Sequence, residues 1–122
     1  MARPTVKTFK DLVVWQKAHE LTLSIYKTTH NFPSEEKFGL TSQLRRSTSS
    51  IPANVVEGYK KNSRKEFLHF LNIAETSLEE TKYHLLLSRD FGYLVDESYV
   101  SLLSICNDIG RMLASLQKSL HE

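Results

Sequence analysis

The sequence predicts an all-α fold, an antiparallel up-down-up-down four-helix bundle, and three observations carry that prediction. Four segments of the 122-residue chain space their apolar residues three and four apart, which aligns them along one face of a helix. Proline, glycine and polar residues separate these segments by short connections, and short connections make successive helices antiparallel neighbours. No segment alternates apolar and polar residues as a half-buried strand would.

The first helix is expected over residues 11–29. Val14, Ala18, Leu21 and Ile25 lie on one face, Trp15, Thr22 and Tyr26 widen it, and Lys17, Glu20 and Lys27 take the opposite side. Asn31 and Pro33 end the pattern, because a residue before proline avoids helical geometry. Ser34 opens a short turn whose Glu35 and Glu36 suit a helix N-terminus. The second helix starts between Gly39 and Ser42 and reaches Gly58, with Leu40, Leu44, Ser47, Ile51, Val55 and Gly58 at helical spacing. Pro52 falls inside it and deletes a backbone donor. The apolar pattern keeps its phase across Pro52, which predicts one bent helix, with two shorter helices as the alternative.

Residues 60–62 connect to a third helix whose start, Ser63-Arg64-Lys65-Glu66, has the form of a capping box. Phe67, Leu71, Ala74, Leu78, Thr81 and Leu85 then form a heptad stripe that Gly92 ends. Asp96 is expected to cap a fourth helix with Tyr99, Leu103, Cys106, Ile109, Leu113, Leu116 and Leu120 on its seam. Phe70, Ile73, Leu102, Ile105 and Met112 are apolar positions beyond that seam. They suit either a wider intramolecular stripe or a subunit interface.

Apolar residues make up 40% and charged residues 25%, an ordinary globular composition. It fits a single domain over residues 1–122, with residues 1–10 and 120–122 expected to fray. Cys106 is the one cysteine, so no internal disulfide forms. The N-terminal residues lack an apolar signal region and no stretch is long enough to cross a bilayer, so a cytoplasmic location and no membrane partner are expected. The net charge is +2, but between Ser42 and Lys65 six cations (Arg45, Arg46, Lys60, Lys61, Arg64, Lys65) face only Glu57, a local balance of +5 that leaves −3 elsewhere. Fifteen residues of helix separate Arg45 from Lys60 by about 22 Å, so the cluster is a stripe and not one pocket. Such a stripe suits a phosphate backbone; the plainer alternative is solvated lysines, with Arg45 or Arg46 paired to a carboxylate.

Tests for catalysis fail or stay weak. Glu66-x-x-His69 has the form used by di-metal helical bundles, but those need two such copies plus two further glutamates, and the chain has one copy. No metal and no cofactor are expected. Cys106 lies on a seam, where a buried thiol is inert packing. Ser47, Ser49 and Ser50 have no histidine at a spacing that suggests a base, and no glycine-rich phosphate loop is present. No small-molecule substrate is expected. The Arg64-x-x-x-x-His69 spacing matches that of HEPN-type ribonucleases, the best enzyme alternative to a non-enzymatic protein.

The stretch Ser50-Ile51-Pro52-Ala53-Asn54-Val55-Val56-Glu57-Gly58-Tyr59 sets a proline, an asparagine and a glutamate in an otherwise apolar helix. With Phe9-Lys10-Asp11-Leu12-Val13-Val14-Trp15 and Gly39-Leu40-Thr41-Ser42-Gln43-Leu44-Arg45-Arg46, it resembles the four-helix-bundle proteins named for intervening sequences in 23S ribosomal RNA genes. The stretches 63–67 and 74–80 fit the same pattern, and the resemblance covers about residues 8–120. It implies a bacterial cytoplasmic bundle and a barrel- or funnel-shaped homopentamer. Distant kin, the accessory proteins of diversity-generating retroelements, are similar pentamers that bind nucleic acid and a reverse transcriptase. The family's name records gene location, so no catalytic residue carries over. Pro52, Asn54, Glu57 and Tyr59 read as structural, with Asn54 fixing helix register and Glu57 pairing with Arg45, Arg46 or a third-helix side chain. The other reading sets Asn54, Glu57 and Tyr59 on a recognition surface.

The function expected from these observations is a non-enzymatic, oligomeric bundle binding structured RNA or other nucleic acid. Its contacts are Arg45, Arg46, Lys60, Lys61, Arg64 and Lys65, acting on phosphates. The alternative is a structural or adaptor protein whose apolar helix faces bind a protein partner.

Overall fold

The computed structural model describes residues 6–121. Four helices, α1 (Val13–Thr29), α2 (Leu40–Lys60), α3 (Arg64–Asp90) and α4 (Asp96–His121), account for most of them. Two 3-10 turns, Phe9–Asp11 and Ser34–Glu36, precede α1 and α2. Among the described residues there is no strand.

The helices meet in reversed order, which fixes their directions. Along α2, Ser47 meets Thr81 and His84, Ser50 meets Ser77, and Gly58 faces Phe67. As α2 advances α3 recedes, so the two are antiparallel. Arg89 over Tyr99 and Gly110 beside Leu78 give α3 and α4 the same relation. Ser24 and Lys27 share a furrow with Ser98 and Ser101, and Leu12 and Val13 share another with Met112 and Leu116, which makes α1 antiparallel to α4. The α2–α3 turn therefore lies at one end of the bundle with the start of α1 and the end of α4. The α1–α2 and α3–α4 connections share the other end.

The core is the predicted set of seams. Val14, Ala18, Leu21 and Ile25 of α1, Leu44, Ile51 and Val55 of α2, and Leu71, Ala74, Leu78 and Leu85 of α3 are buried together. Each large aliphatic side chain so placed contributes about 1.5–3 kcal/mol. On α4 the buried line is Leu102, Cys106, Ile109 and Leu113, and Leu103 is half-exposed. The spacing of four, three, four thus begins one residue earlier than expected, and Leu102 is core rather than surplus. Ile105 and Met112 also pack on the core, so much of the extra apolar surface is spent inside the molecule.

Pro52 is buried and α2 runs through it unbroken, as the constant phase predicts. Gly92 takes φ 81°, where a side chain would be strained, and Tyr93 N–H reaches Ser88 C=O at 2.9 Å to close α3. Ser63 Oγ accepts from Glu66 N–H at 3.1 Å. The two-way capping box forms elsewhere, between Thr8 and Asp11, so Phe9 and Lys10, expected to fray, are an ordered turn. At the C-terminus Leu120 and His121 continue α4. Residues 1–5 and 122 lie outside the described residues. Asp96 is the first residue of α4 and not its cap; with Glu97 it sets negative charge at the positive end of the helix dipole.

Candidate nucleic-acid interface

The turn between α2 and α3 is built by close approach. A Cβ on Gly58 would stand 2.8 Å from Phe67 Cδ1 and 3.0 Å from Phe70 Cβ, so only glycine lets the helices meet there. Tyr59 sets its ring against Phe67 edge-on at 6.4 Å, and Lys61 Nζ rests 5.3 Å from the Phe70 ring centre. Three residues, 61–63, then turn the chain into α3.

Lys60, Lys61, Arg64 and Lys65 are all exposed around this turn, and none makes an ion pair among the described residues. The first-turn N–H groups of α3 lie among them without intrahelical acceptors, and the helix dipole adds partial positive charge. Topology brings further cations to this end. Among the described residues Lys7, Lys10, Lys60, Lys61, Arg64, Lys65 and Lys118 stand against Asp11, Glu57 and Glu66, seven charges against three, a balance of +4. At the other end, among the described residues, Lys27, Lys37, Arg45 and Arg89 stand against Glu35, Glu36, Asp90, Asp96 and Glu97, a balance of −1.

The two arginines of α2 separate. Arg45 is half-buried against α1: its Nε donates to Thr29 Oγ1 at 2.8 Å, and its guanidinium lies 4.6 Å from the Tyr26 ring centre. That places it as a tie between helices. Arg46, one residue on and about 100° around the helix, is exposed on the α3 side. The six predicted contacts are thus four residues at one turn, Arg46 about 21 Å away along α2, and Arg45 on another flank.

The family-motif residues behave unequally. Asn54 Nδ2 donates to Ser50 C=O at 2.8 Å and to Ser50 Oγ at 2.9 Å, holding α2 to itself. The carbonyl that Pro52 leaves free is that of Thr48, four residues back, so Asn54 does not serve it. Glu57 is exposed and forms no ion pair with Arg45 or Arg46 among the described residues, because about 17 Å of helix lies between them.

Arg64 and His69 are both exposed and share no hydrogen bond; the His69 ring instead meets Phe70 edge-on at 5.3 Å. Among the described residues no three His, Cys, Asp or Glu side chains gather to hold an ion. Burial pushes the Cys106 thiol up to about 12, which keeps it protonated and unreactive. One pair escaped the sequence reading: His84 Nδ1 lies 3.4 Å from Ser47 Oγ, across 37 residues of chain. Ser47 is 4% exposed and accepts from Thr81 at 2.9 Å, so this serine is seam packing and no nucleophile.

The same seam holds a furrow of about 620 Å³, lined by Gln43, Arg46, Ser47, Ser50, Ser77, Glu80 and His84. Its one sequence signal is small polar residues, Ser47 and Thr81, at positions where the helical spacing calls for apolar ones.

A family model described as 23S rRNA-intervening sequence protein matches residues 10–115. A crystal structure of a protein of unknown function from the S23 ribosomal protein family of Bacteroides thetaiotaomicron is similar at 34% identity and TM-score 0.82. The match covers 89% of this chain and 98% of that one. None of the curated proteins matches.

Proposed function

The chain belongs to the 23S rRNA-intervening sequence protein family, and from that premise we propose that it is a non-enzymatic, homopentameric bundle that binds structured RNA. The observation that carries the reading is the cluster of Lys60, Lys61, Arg64 and Lys65, exposed around a three-residue turn and free of ion pairs among the described residues. Cations already paired within the protein gain little from a phosphate; unpaired ones release the counterions of the nucleic acid and gain the full term. Phe70 beneath Lys61 and Gly58 beneath the turn hold the group in place, so less entropy is lost on binding. Five copies in a ring convert a weak patch into a strong site through effective concentration. Reversing Lys60, Lys61, Arg64 and Lys65 to glutamate tests it: affinity for a structured RNA is expected to collapse, and unchanged affinity would refute the reading.

A second reading has its own observation. At the acidic end Phe38 is 89% exposed, Phe91 62% and Val95 68%, beside five carboxylates. Such a surface suits a basic, apolar protein partner. A stoichiometric partner recovered after nuclease treatment, and lost with Phe38→Ser, would favour it.

A further inference from the structure

Where α2 packs on α3, short hydroxyl side chains occupy the seam. Ser47 bonds Thr81, and Ser50 and Ser77 share a hydrogen bond of 2.9 Å. Side chains this small leave the furrow of about 620 Å³ open between the helices. Its size is that of a small-molecule site, typically about 300–1,000 Å³.

The chemistry of its wall is specific. His84 is 8% exposed; its Nδ1 lies near Ser47 while its Nε2 has no hydrogen-bond partner among the described residues. Gln43 and Arg46 rise from α2 and Glu80 from α3, all three exposed. None of these three side chains forms a hydrogen bond or an ion pair among the described residues, although Arg46 and Glu80 border one furrow. A carboxylate here repels phosphate, and a floor of hydroxyls has nothing to offer an apolar ligand. A planar neutral group with acceptors on one edge and donors on another would satisfy both charges.

Among the four bases only guanine presents a pair of adjacent acceptors, O6 and N7, together with a pair of adjacent donors, N1–H and N2–H. The arginine fork matches the first pair. A carboxylate with two oxygens matches the second. We propose that the α2–α3 furrow holds a single unpaired guanine base, with Arg46 on its acceptor edge and Glu80 on its donor edge. Gln43 and the free nitrogen of His84 supply further polar contacts, and Ser50 and Ser77 line the floor. The inference rests on the nucleic-acid reading for the source of the base, since the furrow lies on the same helix pair as the basic turn; a free guanine nucleotide has the same chemistry.

The test is a titration of the full chain with GMP, AMP, CMP and UMP, followed by backbone amide shifts. GMP is expected to move Ser47, Ser50, Ser77 and His84 and to bind at least tenfold tighter than AMP. Glu80→Gln, a change at the exposed rim, is expected to remove that preference, and Arg46→Ala to weaken GMP binding at least tenfold. Equal shifts from all four nucleotides, or shifts confined to residues 60–65, would overturn the proposal. A hairpin with one unpaired guanine, compared with its adenine counterpart, separates the sources: preference for the guanine hairpin assigns the site to RNA, and GMP binding without it assigns the site to a free nucleotide. RNA binding at the basic turn with furrow amides unmoved by GMP sinks this inference alone. GMP at the furrow with no RNA affinity sinks the RNA reading alone.

Discussion

The two ends of the bundle are built from the same helices and differ in almost every surface property. At one end a single tight turn, braced by Gly58 against Phe67 and Phe70, sets out four cations with no carboxylate paired to them among the described residues. At the other, two connections are tied by Glu36, whose Oε1 accepts from Leu40 N–H at 3.1 Å and whose Oε2 accepts from the Tyr93 hydroxyl at 2.9 Å. That bond to a carboxylate holds the Tyr93 hydroxyl above its ordinary value. Glu36 and the Arg89–Asp90 pair use their charges on the fold, whereas Lys60, Lys61, Arg64 and Lys65 form no ion pair among the described residues.

The largest expected effect breaks this comparison directly. With Lys60, Lys61, Arg64 and Lys65 changed to glutamate, RNA affinity near 0.1 M salt is expected to fall by about 100-fold or more, read by anisotropy. The mirror variant Glu35→Lys with Glu97→Lys adds two cations at the far end and is expected to change affinity little or raise it slightly. Equal losses from both would make the basic turn irrelevant.

The bracing of the turn comes next. Gly58→Val forces atoms into the space already held by Phe67 and Phe70, and overpacking of this kind costs about 1–3 kcal/mol. The loss is measured as a lower urea midpoint, and an unchanged midpoint would show that the turn has room to move.

A finer contrast separates adjacent arginines. Arg45→Ala loses a cation–π contact and a hydrogen bond to Thr29, each worth about 1 kcal/mol, and is expected to lower stability by about 1–2 kcal/mol. Arg46→Ala, which has no such partners, is expected to stay within about 0.5 kcal/mol of the parent.

The smallest effect is the pH dependence of the seam near the acidic end. Burial lowers the His84 pKa, with Glu80 opposing it, so the folded state takes up its proton later than the unfolded chain does. The unfolded state therefore binds more protons as pH falls through the ordinary histidine value of 6.5, and stability drops in acid. His84→Gln is expected to flatten that slope in urea melts between pH 5 and 7.

Periodicity is a local signal, and it gave away the helices because each one's buried face repeats within a few residues. The same locality hides the place of Leu102: with Leu102 and Leu103 both apolar, only the packing of α4 in the bundle, where Leu102 lies beside α1, chooses between them. Arg45 carried no such signal, because its partners Thr29 and Tyr26 lie 16 and 19 residues away and only the packing of α2 on α1 brings them together. The Ser47–His84 contact carried none, because 37 residues of chain separate its members and only the pairing of α2 with α3 brings them together. Beyond the small seam residues Ser47 and Thr81, nothing in the sequence marks the furrow, for the same reason. The basic turn was visible because its cations are neighbours in sequence.

The most direct test is the affinity of the pure protein for a structured RNA across a salt series, with subunit number fixed by light scattering. Four phosphates neutralised per subunit predict log affinity falling against log salt with a slope of about −3 for each engaged subunit. Binding undetectable at low salt, or a slope near zero, would contradict the account.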